Sequence, residues 1–145
     1  MKKAILGLVL LVMAATRTPA QTTYTQTATT MCRSGELNCI AMGLEDSSGR
    51  LRGDYTIQCN TNALNSFTCH FELVLDGVTY SGKITDVTIY FPTNDADSDD
   101  HGPFAYTWEA GGLTGSSAGT GFWGGCGLGK GYCAYIASGT TVTVN

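Results

Sequence analysis

The sequence predicts an all-β fold: one antiparallel β-sandwich stapled by disulfides. Three observations carry that reading. Apolar residues alternate with period two in stretch after stretch, as half-buried strands require. No segment beyond residue 20 repeats its apolar residues at the 3.6-residue helical period. Six cysteines, at 32, 39, 59, 69, 126 and 133, lie behind an export signal, an even count that reads as three bridges.

The export signal comes first along the chain. Lys2 and Lys3 supply a positive start, Ala4 to Ala15 form an uncharged and largely apolar run, and Thr18-Pro19-Ala20 offers small residues for cleavage after Ala20. The run is too short to span a bilayer, which takes about 20 helical residues. Residues 1–20 therefore read as a signal peptide and 21–145 as a single domain, in a secreted, periplasmic or cell-surface setting. Removing the leader leaves five Lys/Arg against twelve Asp/Glu, a formal charge of −7. Such a surface repels nucleic acid and anionic lipid. Nucleic acid is excluded as a partner, as is membrane insertion after cleavage.

The threonine-rich "TTYTQTATT" reads either as an edge strand or as an unstructured tail, and "LNCIAMGLE" as a strand. "DYTIQCN" places Tyr55, Ile57 and Cys59 on one face; "FTCHFELVL" does the same with Phe67, Cys69, Phe71, Leu73 and Leu75. Asp76-Gly77 then marks a two-residue hairpin turn, because both central positions need positive φ. Pairing across it sets Leu75 against Val78, Leu73 against Tyr80 and Phe71 against Gly82. Pairing Cys59 with Cys69 sets Ile57 against Phe71 and Tyr55 against Leu73. All these pairs fall on one apolar face, as a single register demands. Beyond Ile84 the parity of apolar residues shifts from even to odd, which predicts a bulge near Thr85-Asp86. "FAYTWEA", "YCAYIAS" and "TTVTVN" read as further strands, and "GGLTGSSAGTG" as a flexible loop.

The cysteines pair locally on this reading: Cys32–Cys39, Cys59–Cys69 and Cys126–Cys133. No two have the tight spacing of a zinc knuckle. The stretch from Gly119 to Cys133, GTGFWGGCGLGKGYC, matches a dinucleotide fingerprint and nearly a phosphate loop. Glycines and a cysteine follow where a helix must start, and Gly131 stands where a phosphate loop needs Ser or Thr. A stapled loop accounts for it, and Phe122, Trp123 and Tyr132 remain as an aromatic surface for a glycan or a protein.

In "NDADSDDHG", Asp95, Asp97 and Asp99 resemble the first three ligands of a calcium loop. Asp100 replaces its glycine and Tyr106 its bidentate Glu, so a solvated acidic turn is the simpler reading. Calcium is the one cofactor suggested. Arg52-Gly53-Asp54 spells an integrin tripeptide but reads as a turn leading into a strand. His70 or His101 with carboxylates such as Glu72 and Glu109 would suit a small hydrolase, yet no nucleophile elbow accompanies them. No catalytic residue is assigned. The expected function is a secreted, non-enzymatic binding module for a glycan or protein; a structural envelope component and a small extracellular hydrolase are the alternatives.

Overall fold

The computed structural model describes residues 20–33, 37–60, 69–90, 101–126 and 132–145. Its strands are β1 (Thr22–Gln26), β2 (Thr30–Arg33), β3 (Asn38–Glu45), β4 (Leu51–Gln58), β5 (His70–Leu75), β6 (Val78–Ile89), β7 (His101–Ala110), β8 (Leu113–Gly125), β9 (Tyr132–Ile136) and β10 (Thr141–Val144). All pairings are antiparallel, and no helix occurs among the described residues.

The expected hairpin register is the one observed. Leu75 faces Val78, Leu73 faces Tyr80 and Phe71 faces Gly82, while Ile57 and Tyr55 face Phe71 and Leu73. Asp76 and Gly77 adopt φ of 50° and 80°, the left-handed values that the two-residue turn demands. The shift between Ile84 and Asp86 is the expected bulge. The threonine-rich N-terminal segment is ordered as β1 and the start of β2, not a tail.

The sandwich expectation is corrected: the sheet closes into an eight-stranded barrel. Strands β3 to β8 form six consecutive staves. The seventh is β1 followed by β2, and the eighth is β9 followed by β10. They pair with each other, β1 on β10 and β2 on β9, and with β3 and β8 on their outer sides. A register line from Trp123 runs through Ala134, Cys32, Cys39, Ile57, Phe71, Gly82 and Ala110. It returns to β8 at Leu113, ten residues from its start. Eight strands with such a stagger tilt by roughly 40° and enclose just enough room for side chains.

Closure depends on β8, which includes most of the "GGLTGSSAGTG" segment expected to be a loop. Its inward positions are Gly115, Ser117, Gly119, Gly121 and Trp123, and its outward ones include Thr114, Ser116, Ala118 and Thr120. A small inward residue is required at Gly115 because the Trp108 ring stands directly over it, and at Gly119 because the Thr140 side chain does. Trp108 stacks on Phe71 at 4.7 Å, and Phe71 stacks on Tyr55 at 6.0 Å.

The two ends of the barrel differ. At one end the hairpins close tightly, at Asp46–Gly49, Asp76-Gly77 and Gly111-Gly112. The connections β2 to β3, β4 to β5, β6 to β7 and β8 to β9 all leave from the other end. Cys32–Cys39, Cys59–Cys69 and Cys126–Cys133 bridge the flanks of three of these. All three local pairings are therefore present, and the first two lie inside the barrel. The three bridges fit an oxidising compartment.

Candidate functional site

The outward faces of the staves are mostly hydroxylated. Thr23 meets Thr143 at 3.0 Å, and Thr85 meets Thr107 at 2.8 Å. Leu51, Val78, Ile89 and Tyr90 are exposed apolar side chains elsewhere on the surface, and one band of such residues runs across successive strands. His101 on β7 faces Phe122 on β8, Phe122 faces Tyr135 on β9, and Tyr135 faces Met31 on β2. The Cys32–Cys39 pairing places Met31 beside Ile40 on β3. Met31, Ile40 and nearby Met42 are 51%, 53% and 62% exposed. An aromatic and aliphatic strip thus crosses five neighbouring strands.

The three rings form a ladder. The His101 and Phe122 ring centroids are 5.1 Å apart with planes 13° from parallel, and those of Phe122 and Tyr135 are 5.0 Å apart at 9°. That spacing matches the inter-strand distance of about 4.8 Å, so each ring lies against the ring on the next strand. The Tyr135 hydroxyl donates to the Gly125 carbonyl at 2.6 Å, which locks its ring. Stacked cross-strand aromatics contribute about 0.5–1.5 kcal/mol per pair beyond area burial. The ladder consumes ring faces and turns ring edges toward solvent. Both faces of Phe122 are covered by its neighbours.

The aromatic trio expected from the sequence is therefore split. Phe122 belongs to the strip. Trp123 points into the barrel and is only 6% exposed, so it is removed from the outer surface. Tyr132 pairs with Gly125 in backbone register, and its side chain lies outside the described residues. The sequence points to His101 only as a hydrolase histidine, and not to Tyr135, Met31 or Ile40. A usable signal existed: Gly111-Gly112 is a two-residue hairpin turn. Running the pairing of Ala110 with Leu113 back along both strands brings His101 opposite Phe122.

Asp95, Asp97 and Asp99 lie outside the described residues, and no metal-holding cluster of His, Cys, Asp or Glu occurs among the described ones. The hydrolase candidates sit on the open outer face of β5 to β7. Ser81 Oγ donates to Glu72 Oε2 at 3.0 Å, and His70 Nε2 lies 4.0 Å from the same oxygen. The carboxylate stands between hydroxyl and imidazole, so this histidine is not placed to take the serine proton as a triad base must. Glu109 instead pairs with Lys83 at 3.5 Å.

Arg52, Gly53 and Asp54 lie within β4, not in a turn before it. The Arg52 guanidinium forks onto Asp76, with Nε to Oδ1 at 2.8 Å and Nη2 to Oδ2 at 2.5 Å, and reaches Asp46 at 3.1 Å. Two carboxylates thus hold the tripeptide's cation. A Ser48 hydroxyl, ahead of Arg52, keeps the Asp46 carboxyl below the usual carboxylate range, and Arg52 does the same for Asp76. Comparison of the chain with family models, curated proteins and solved structures yields no match.

Proposed function

We propose that the protein is a secreted, non-enzymatic binding module that docks a protein partner through the outer strip of His101, Phe122, Tyr135, Met31 and Ile40. The observation that carries this reading is the ladder itself, an ordered apolar band that runs unbroken across five neighbouring strands. Solvated faces rarely keep large apolar side chains in a contiguous row unless something covers them. Rigid aromatics and a flexible thioether are the side chains that such contacts favour.

The ladder geometry favours protein over glycan. Sugar rings pack on open aromatic faces, whereas here the faces meet each other and edges point outward. Edges, Met31 and Ile40 suit interdigitation with apolar side chains. Five strands at about 4.8 Å spacing give a strip roughly 20 Å long, the scale of a small, reversible interface. The formal charge of −7 favours a partner whose rim is basic. Polar staves outside and aromatic packing inside are the reverse of a lipid-facing barrel, which supports a module that stays out of the bilayer. The leader and the three bridges support export to an oxidising space.

The test uses the mature chain as bait in the secreted fraction of its own host, beside a Phe122→Ser/Met31→Ser variant of unchanged disulfide content, with a glycan array run in parallel. A protein retained by the wild type and lost from the variant is expected, with no array signal. Equal retention by both chains refutes the strip. Array binding that vanishes in the variant moves the reading to glycan.

A further inference from the structure

The turn that fixes the β5–β6 register carries a chemical liability. A two-residue hairpin needs left-handed φ at both central positions, and Asp76-Gly77 supplies them at 50° and 80°. Glycine has no Cβ to shield its amide nitrogen, which can therefore attack the carboxyl carbon of an aspartate before it. Asp76-Gly77 is the only Asp-Gly in the chain, and no Asn-Gly occurs. Both residues are exposed, and nothing lies within 4 Å of a Cβ built on Gly77. The turn has no packing to protect it.

Arg52 on β4 grips Asp76 at both ends. The Asp76 backbone N–H donates to the Arg52 carbonyl at 2.8 Å. The guanidinium forks onto both carboxylate oxygens, Nε to Oδ1 and Nη2 to Oδ2. The fork holds the carboxylate in one orientation and keeps its acid form scarce, with the Asp76 carboxyl below the usual carboxylate range. The arginine is itself fixed, unlike most surface cations. Its Nη1 donates to Asp46 Oδ2 at 3.1 Å. Asp46 Oδ1 in turn accepts from the Ser48 backbone at 2.9 Å, the Ser48 hydroxyl at 2.6 Å and the Arg50 backbone at 3.1 Å. The turn at Asp46–Gly49 thus orients the guanidinium that holds the turn at Asp76-Gly77.

We infer that Asp76-Gly77 is a site of spontaneous isomerisation to isoaspartate, and that the Arg52 fork, oriented by Asp46, suppresses it in the folded protein. Water is the only other reactant. The Gly77 nitrogen bonds to Cγ of Asp76, and one carboxyl oxygen leaves as water with the amide proton, giving a succinimide. Water then opens the ring at the Asp76 backbone carbonyl, which breaks its original bond to Gly77 and frees an α-carboxylate. The chain now runs through Cγ and is one methylene longer at unchanged mass. The first step needs the carboxyl protonated and turned onto the Gly77 nitrogen, and the fork opposes both. Leu75 pairs with Val78 directly across the turn, so a longer turn disturbs the register of β5 with β6.

The test is warm incubation of the mature protein between about pH 5 and pH 6, where a free aspartate is still partly protonated. Isoaspartate at position 76 is followed by peptide mapping, with fragmentation that separates the two isomers of equal mass. Wild type, Arg52→Met, Arg52→Lys and Arg50→Met are compared with wild type unfolded in guanidinium chloride. Arg52→Met should isomerise about three to five times faster than folded wild type, the ratio an exposed ion pair supports. Arg52→Lys should fall between them, because an amine supplies the charge without the fork. Arg50→Met removes a neighbouring cation outside the fork and should keep the wild-type rate, while the unfolded chain should be fastest. Equal rates in wild type and folded Arg52→Met overturn the inference, and so does equal acceleration in Arg50→Met. Equal rates in folded and unfolded wild type overturn it as well, a comparison that does not depend on any variant folding.

Discussion

Replacing Gly115 by alanine tests whether the small inward residues of β8 are dictated by the core. A Cβ built at Gly115 lies 2.1 Å from the Thr143 carbonyl oxygen and 2.2 Å from Cζ2 of Trp108. Ordinary contacts to carbon begin near 3.4 Å, so either neighbour must retreat by more than an ångström. Neither yields easily. The Thr143 oxygen belongs to β10, whose pairing with β8 closes the barrel. The indole is 1% exposed and stacked on Phe71. Overpacking usually costs about 1–3 kcal/mol, and with both neighbours fixed the upper end applies. For a domain of this length, about 3 kcal/mol lowers Tm by roughly 10 °C. Gly125 on the same strand is the control, because no atom lies within 4 Å of its added Cβ. Alanine there should be neutral or stabilising by about 0.5 kcal/mol, since glycine weakens a strand. Urea and thermal unfolding of the two variants measure the difference. If Gly115→Ala unfolds at the same midpoint as Gly125→Ala, the core does not dictate the composition of β8. Trp108→Phe, which shortens the ring, should recover part of the loss.

The three bridges close rings of eight, eleven and eight residues, worth about 2.5, 2.8 and 2.5 kcal/mol in the chain-entropy model. Paired Cys→Ala variants should rank Cys59–Cys69 and Cys32–Cys39, with sulfurs inside the barrel, above Cys126–Cys133; the opposite order in denaturant titrations contradicts that placement. Acid stability follows from the depressed carboxyls of Asp46 and Asp76. The unfolded chain takes up protons near pH 3.9 while the folded carboxyls resist, so their contribution is present above that pH and is lost as pH falls below it. Arg52→Met should flatten the loss of stability between about pH 4 and pH 2, and an unchanged slope in urea midpoints would show that the guanidinium does not set it. Tyr55→Phe strands Gln26 Oε1 inside the barrel and should cost about 1–3 kcal/mol; a change below 0.5 kcal/mol, in urea unfolding near neutral pH (roughly the error of such a measurement), would mean that another donor reaches that oxygen.

The sequence alone determined the pairing of β4, β5 and β6. Asp76-Gly77 permits one turn geometry, and the alternation of Tyr55, Ile57, Phe71 and Leu73 permits one register, which in turn brings Cys59 opposite Cys69. The parity change after Ile84 announced its bulge. Closure was decided only by the tertiary structure. Thr23 and Thr143 pair across most of the chain, and two polar threonine strands give no local sign that they will meet. The Gly/Ser/Thr alternation of β8 likewise carries no hydrophobic period. Gly115 is small because Trp108 occupies the space and Gly119 because Thr140 does, facts located elsewhere in the chain. Phe122 was visible as an aromatic, and running back from the Gly111-Gly112 turn sets His101 opposite it, but Tyr135 is placed only by the pairing of β8 with β9. Which face of β8 each aromatic takes follows from that pairing, and it sent Trp123 inward and Phe122 out.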